Sequence, residues 1–261
     1  LQQCSLNIYV MQPFDWKLPL QKNVTLLRIF GLWPKHETYK LDLYTIYAVF
    51  TWVVIIGSHN ASLIGTVYFL NDNLESLTQT TVLLVSALLT SFKIYEFAKN
   101  IRLFKKLMTN LNINLFQPKN ANQIYLAGTS FKFWSLTFNV FCTSAAISVS
   151  TWVIGPFIDS SFKTARLPIL AWYPYNTKIS PFYELTFFYQ SMVSYYFSLT
   201  IVSIDLIVAA LMVYVGLQCD MLCTNLKQIQ DLKEIMYKTE SDFSETLISC
   251  IKHHKEILRY V

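Results

Sequence analysis

Four stretches of this chain are apolar for longer than a soluble core helix requires, and polar segments separate them. The longest covers 181–217 and, past Glu184, carries one formal charge, Asp205. A helix over 185–217 is about 50 Å long at 1.5 Å per residue, whereas a bilayer core takes about 20 residues. This helix is predicted to cross a membrane and project beyond it. A charge at the centre of a membrane helix costs about 2.5–3.5 kcal/mol, so Asp205 has to face other helices or water. The other predicted spans are 43–63, 77–97 and 133–157.

Polar positions inside these spans leave alternatives open. His59 and Asn60 mark either the interfacial end of the first span or a polar feature of a cavity. Thr78, Thr80 and Thr81 in the second span either hydrogen-bond across helices or line a pocket. Small residues from Thr143 to Ser150 in the third either admit close helix packing or leave room for a ligand, with Trp152 just beyond them. Asn71, Asp72 and Asn73 are expected to form the turn between the first two spans.

The connections have helical periods of their own. VTLLRIFGLWP reads as a short helix stopped by Gly31 and Pro34, with Trp16 and Trp33 at headgroup depth. Between the second and third spans, Ile101, Phe104, Leu107, Met108 and Leu111 recur at helical spacing among Lys99, Arg102, Lys105 and Lys106. That pattern predicts an amphipathic helix on or under the membrane surface, broken by Pro118. Residues 219–238 are polar but helical in period. Asp242 and Glu245 then read as a cap for a last helix whose stripe is Leu247, Ile251, His254, Leu258 and Val261. The fold class is all-α, a polytopic membrane helical bundle with four transmembrane helices plus amphipathic helices, and 1–261 is expected to be a single transmembrane domain.

Composition agrees. Charged residues make up 14% of the chain, against about 25% in soluble domains. Eighteen of the 21 Lys and Arg fall on the N-terminal side of the membrane and three on the other. The positive-inside rule therefore predicts a cytosolic N-terminus and an outside 158–180 loop, opposite to G-protein-coupled receptors. In a membrane chain this net charge of +5 is a topology signal, and no nucleic-acid partner is expected.

Chemistry is sparse. Six scattered glycines exclude phosphate-binding loops, and no HExxH, GxSxG or carboxylate cluster occurs. The chain is not expected to be an enzyme or to hold a cofactor or metal. Cys219, Cys223, Cys250 and His253 are conceivable as a zinc set, with plain cytosolic thiols as the alternative. His253 and His254 are either pH-sensitive or metal-binding, or simply packed or solvated helix residues. No signal peptide is expected; Met11 is either the start or an internal methionine, and the helical pattern running to Val261 reads as that of a fragment. The outer halves of spans 2, 3 and 4 are aromatic, small and hydroxylic with almost no charge, which suits a small volatile organic ligand.

LLRIFGLWP, LPILAWYPYNTKISPFYELTFFYQSM, DLIVAALMVYVGLQCDMLCTNL and SCIKHHKEILRYV, in this order, resemble the insect odorant receptor family. The resemblance implies a seven-helix subunit of an odorant-gated cation channel, paired with a shared olfactory co-receptor in a heterotetramer in the plasma membrane of sensory dendrites. It implies that this chain holds helices 1–4 and the start of helix 5. The odorant pocket would lie in the outer half of the bundle, where the candidates are Val82 and Val85 on span 2, Ala145, Ser148 and Trp152 on span 3, and Phe188, Met192 and Tyr195 on span 4. Asp205 is then expected to be a polar contact between helices. A gustatory receptor of the same superfamily and a secondary transporter using Asp205 are the alternative readings.

Overall fold

The computed structural model describes residues 14–69, 74–158, 166–235 and 240–260. The predicted turn at 71–73 lies outside the described residues, as does the region before Phe14. The described residues are helical or irregular: α1 (Gln21–Ile29), α2 (Leu43–Thr51), α3 (Ser58–Phe69), α4 (Leu74–Lys99), α5 (Ile101–Asn110), α6 (Ala121–Ile158), α7 (Phe182–Ile235) and α8 (Glu240–Tyr260). A π-helical segment, Trp52–Gly57, joins α2 to α3. Four continuous helical stretches are long and apolar enough to cross a membrane: Leu43–Phe69, Leu74–Lys99, Ala121–Ile158 and Phe182–Ile229. They contain all four predicted spans and extend beyond them, because polar residues such as Asn122 and Gln218 continue the helices.

The chain divides into two compact units. The larger comprises 20–105 and 133–212. Its entry is the short helix α1, which ends as the sequence predicts. Gly31 has φ +79°, its N–H bonds Arg28 O at 3.2 Å, and Leu32 N–H bonds Leu27 O at 2.8 Å. This is a Schellman cap, in which glycine takes the left-handed position that L residues avoid. A side chain at Gly31 would also approach the Ala48 backbone to 3.0 Å.

Four tyrosines finish the cap. Tyr44 donates to Arg28 O at 2.9 Å, Tyr47 to Ile29 O at 2.5 Å, Tyr196 to Phe30 O at 3.1 Å and Tyr39 to Gly31 O at 2.9 Å. The last carbonyls of a helix have no intrahelical partner, and here side chains from α2, α7 and the intervening segment supply one each. Burial pushes the Tyr39 hydroxyl pKa up, with Tyr44 and Tyr196 acting in the same direction. Beside the collar, Lys105 donates to Pro34 O and His36 O and stands 5.6 Å over the buried Trp33 ring. Trp33 is therefore buried within this unit. Burial also lowers the Lys105 pKa.

The first span starts at Asp42, whose carboxylate accepts from Thr45 N–H at 2.8 Å. That bond is the first cause of its lowered pKa. The π-helical turn follows, and after it His59 is buried with its ring 5.1 Å from that of Phe197. Asn60 Nδ2 donates to Ser91 Oγ at 2.9 Å. His59 is thus packed inside this unit, and Asn60 ties the first span to α4. Thr78 and Thr81 bond the carbonyls of Leu74 and Leu77 in their own helix, at 2.8 and 2.7 Å. Such back-bonding is the local option open to a hydroxyl on a helix, whereas Thr80 between them is buried.

The second unit comprises the residues up to Pro19, 106–132 and 213–261. Its core gathers Trp16, Leu111, Phe116, Gln123, Met221 and His253, all nearly inaccessible. Gln218 Nε2 donates to Phe116 O at 3.4 Å and its Oε1 bonds His253 Nε2 at 3.0 Å. Tyr214 donates to Leu111 O at 3.1 Å. Helix α8 begins at Glu240, so Asp242 lies inside it and is not the cap. Its packed stripe is Cys250, His253 and Ile257, while Ile251, His254 and Leu258 are exposed. The predicted stripe is therefore one residue out of phase: α8 carries two apolar rows, and periodicity alone chose the wrong one.

Two consequences are measurable. Gly31→Ala is expected to destabilise the protein by about 1–2 kcal/mol or more, from the left-handed conformation and the contact with α2 together; thermal unfolding of purified protein in detergent checks this. Burial, with Lys119 adding to it, brings the His253 imidazole from 6.5 down to about 4. The unfolded chain then takes up a proton that the folded chain refuses. Stability is full above about pH 6.5 and falls as pH drops toward 4. Unfolding followed between pH 4 and 7 should show this slope, and His253→Gln should flatten it.

Candidate functional site

The larger unit contains a cavity of about 260 Å³. Leu83 of α4 forms one wall; Ser148, Val149, Trp152 and Val153 of α6 form another. Ser194 of α7 closes a third side, and Pro168 and Ile169 of the segment before α7 complete it. Among the described residues no charged side chain lines it, and the hydroxyls there are those of two serines. Ser194 Oγ donates to Gln190 O at 2.8 Å, which leaves its lone pairs free to accept.

The segment 166–181 is held by its backbone. Gln190 of α7, only 1% exposed, takes Ile169 N–H on its Oε1 at 3.0 Å and gives its Nε2–H to Ile169 O at 2.9 Å. The same Nε2 donates to the Tyr173 hydroxyl at 3.2 Å. Trp172 N–H bonds Thr66 Oγ1 at 2.7 Å, and its ring stacks on Phe69 with centroids 4.9 Å apart. Gly65 makes that approach possible, since a Cβ there would come within 2.8 Å of the indole. Tyr183 donates to Arg166 O at 3.1 Å, and the Tyr175 hydroxyl bonds Thr186 Oγ1 at 2.9 Å. Tyr183, Thr186, Gln190 and Val193 therefore make the buried stripe of the N-terminal part of α7. Burial pushes the Tyr173 hydroxyl up to about 12.

Of the residues chosen from sequence, Ser148 and Trp152 line this cavity. Ala145 is half-buried one turn away on α6. Tyr195 is half-buried and its hydroxyl bonds Ser150 Oγ at 2.7 Å, tying α6 to α7 beside the cavity. Val82, Val85, Phe188 and Met192 are 50–66% exposed on the outer surface of this unit. Leu83 and Ser194, next to Val82 and Tyr195, line the cavity instead, together with Val149, Val153, Pro168 and Ile169. On α6 the lining face spans two adjacent rows, and the sequence stripe followed one of them. Pro168 and Ile169 belong to the LPILAWYP run that the sequence singles out.

Asp205 is exposed on α7 and forms an ion pair with Lys93 of α4. Among the described residues no three His, Cys, Asp or Glu side chains gather as a metal site, and Cys219 and Cys223 are exposed free thiols.

Four helical stretches long and apolar enough to cross a membrane, three of which wall a small cavity, define a polytopic α-helical membrane protein. Residues 66–261 match the family model described as 7tm odorant receptor, and the chain belongs to that family. It is similar to odorant receptor Or1 of Anopheles gambiae, 26% identical over 171 residues, 64% of this chain and 40% of that protein. Its fold is similar to the insect olfactory receptor OR5 from Machilis hrabei, with TM-score 0.71 at 17% identity, over 95% of this chain and 65% of that one. The same OR5 in complex with eugenol matches at TM-score 0.71 and 16% identity. The chain thus spans less than two thirds of the length of each of these proteins.

The ion pair gives a direct test. Lys93→Met leaves a lone carboxylate in a membrane helix, a cost of about 2.5–3.5 kcal/mol at the bilayer centre. Surface delivery of that variant is expected to drop severalfold, and the charge swap Lys93→Asp with Asp205→Lys is expected to recover most of it, measured by surface biotinylation.

Proposed function

We propose that this chain is the larger part of a subunit of an odorant-gated, non-selective cation channel, and that the cavity under residues 168–169 is its odorant site. The observation that carries the reading is a cavity of about 260 Å³ with apolar walls, two serine hydroxyls and, among the described residues, no charge. Such a lining favours a small uncharged molecule with one hydrogen-bonding oxygen, since a charged ligand entering it would lose hydration without gaining a partner. Ser148 can donate to such an oxygen and Ser194 can accept from it. Eugenol, which is bound by the structurally similar OR5, is an uncharged phenol of this chemical class.

The charge distribution supports a cytosolic N-terminus, with 166–181 outside and the odorant entering from that side. In this reading the chain supplies helices 1–4 and the start of helix 5 of a seven-helix domain in the plasma membrane of a sensory dendrite. Val82, Val85, Ala145, Phe188, Met192 and Tyr195 then extend the site toward helices of the whole subunit. Methionine at 192 suits a surface that repacks around varied ligands. Asp205 serves as an interhelical contact through Lys93, and a co-receptor subunit completes the channel.

The complete subunit, co-expressed with an olfactory co-receptor and challenged with a panel of neutral odorants, is expected to give cation currents. Trp152→Ala should raise the half-maximal concentration tenfold or more, about 1.4 kcal/mol. Ser148→Ala should raise it roughly fivefold for oxygenated odorants, in line with about 1 kcal/mol for one hydrogen bond. Absence of current despite surface delivery would refute the channel reading; unchanged concentrations in both variants would refute the site.

A further inference from the structure

The cavity wall at Pro168 and Ile169 comes from a segment without secondary structure, yet its backbone is paired. The partner is one side chain. A primary amide carries a donor and an acceptor on one planar group, the same pair an adjacent β-strand would present. Gln190 uses both on the same residue, taking the N–H of Ile169 and giving to its C=O at 3.0 and 2.9 Å. It is buried to 1% exposure, so without it both backbone groups would have to find water or go unpaired. Its own carbonyl receives the hydroxyl of Ser194 at 2.8 Å, and Ser194 lines the cavity. One residue therefore meets the cavity from two directions while lining neither wall itself.

We propose that Gln190 is the positioning residue of this site: its amide replaces a neighbouring strand, fixes Pro168 and Ile169 as the cavity's cover, and so sets affinity and size selection without touching the ligand. This rests on the odorant reading of the cavity for its functional half only. Trp172, locked to Thr66 and stacked on Phe69, holds the far side of the same segment, so the freedom that remains to residues 168–170 is governed by position 190.

The amide makes a specific demand that a merely space-filling residue would not. Gln190→Leu keeps the volume and removes both bonds. Gln190→Glu restores both when the carboxyl is neutral, because a carboxylic acid has one O–H donor and a carbonyl acceptor, and loses the donor when ionised. The titratable group in direct contact with Gln190 is Tyr173. Its hydroxyl, pushed up to about 12, stays neutral through the range used.

Hydrogen exchange of residues 166–173 in the purified complete subunit, corrected for intrinsic rates, provides the test at pH 5 and pH 9. In Gln190→Leu, Ile169 should exchange at least tenfold faster than in wild type at both pH values. In Gln190→Glu it should be protected at pH 5. At pH 9 the ionised carboxylate can still accept from the Ile169 N–H but sets its oxygens against the Ile169 C=O. The repulsion that displaces the segment should cost that protection, while wild type shows no such dependence. Ile169 exchange within twofold of wild type in Gln190→Leu, or pH-independent exchange in Gln190→Glu, overturns the proposal. Concentration–response curves of the same variants then read the functional half. Gln190→Leu should shift the half-maximal odorant concentration tenfold or more and flatten discrimination by ligand size, with maximal current retained. An unchanged curve alongside shifted Trp152→Ala and Ser148→Ala curves overturns the role of Gln190. Unchanged curves in all three, with the exchange result intact, reject the odorant reading and leave Gln190 as the clamp of this segment.

Discussion

A backbone N–H or C=O left without a partner in hydrocarbon costs several kcal/mol, and this constraint shapes the protein wherever a helix stops. Inside the spans the helices satisfy themselves. The difficulty lies at α1, which ends against α2, and at residues 166–181, which fold over the ends of spans. At both places side chains take the role of the missing secondary structure. Four tyrosine hydroxyls donate to one carbonyl each at the end of α1, and the Gln190 amide pairs both groups of Ile169. Tyrosine suits a boundary because its ring is apolar and only its tip is polar. Glutamine suits the interior position because one uncharged group both donates and accepts.

The same constraint explains how much could be read from the chain itself. The spans were legible because a run of apolar residues longer than a bilayer is thick has few other uses. The stop at Gly31 was legible because only a left-handed cap calls for glycine there. The faces of the spans were not. In a soluble helix the polar side marks the outside, but lipid is as apolar as the interior, so Val82, exposed, and Leu83, on the cavity, carry no distinguishing mark. The informative residues in a membrane helix are the polar ones. Thr186, Gln190 and Ser194 lie along one face of α7 and point to the packed side, whereas the row Phe188, Met192 and Tyr195 was chosen for its aromatic and sulfur chemistry, and its first two members are exposed. Helix α8 failed for a related reason: of its two apolar rows, the one interrupted by His253 is buried, and a histidine bonded to Gln218 inside a core cannot be told from a solvated one by spacing.

Charge in the spans obeys the rule more strictly. Asp205, exposed as it is, is matched with Lys93 on a neighbouring helix. Lys93 alone reads as a residue reaching for the interface. The pairing could not be inferred from either residue's surroundings in the sequence, because 112 positions separate them and only the tertiary fold brings α4 and α7 together there.

Helix α7 draws these threads into one argument. Along its length, Gln190 pairs the backbone of Ile169, Tyr196 the carbonyl of Phe30, Tyr214 that of Leu111 and Gln218 that of Phe116. Each partner lies in a segment where the regular helix has ended or is ending, and each donor is neutral. A charged residue at any of these places would bring its own desolvation cost and require a counter-ion, as Asp205 does. A small apolar residue would leave a carbonyl bare. Amide and phenol side chains avoid both penalties, so a helix of 54 residues can organise irregular segments along its whole length with a single ion pair within its apolar stretch. For a binding site this has a direct consequence. The wall contributed by residues 168–169 is defined by hydrogen bonds to one helix rather than by packing alone, and directional bonds hold a short irregular segment to one conformation more sharply than apolar contact does. A cavity without charge can still select among similar neutral molecules when one of its walls is fixed in this way.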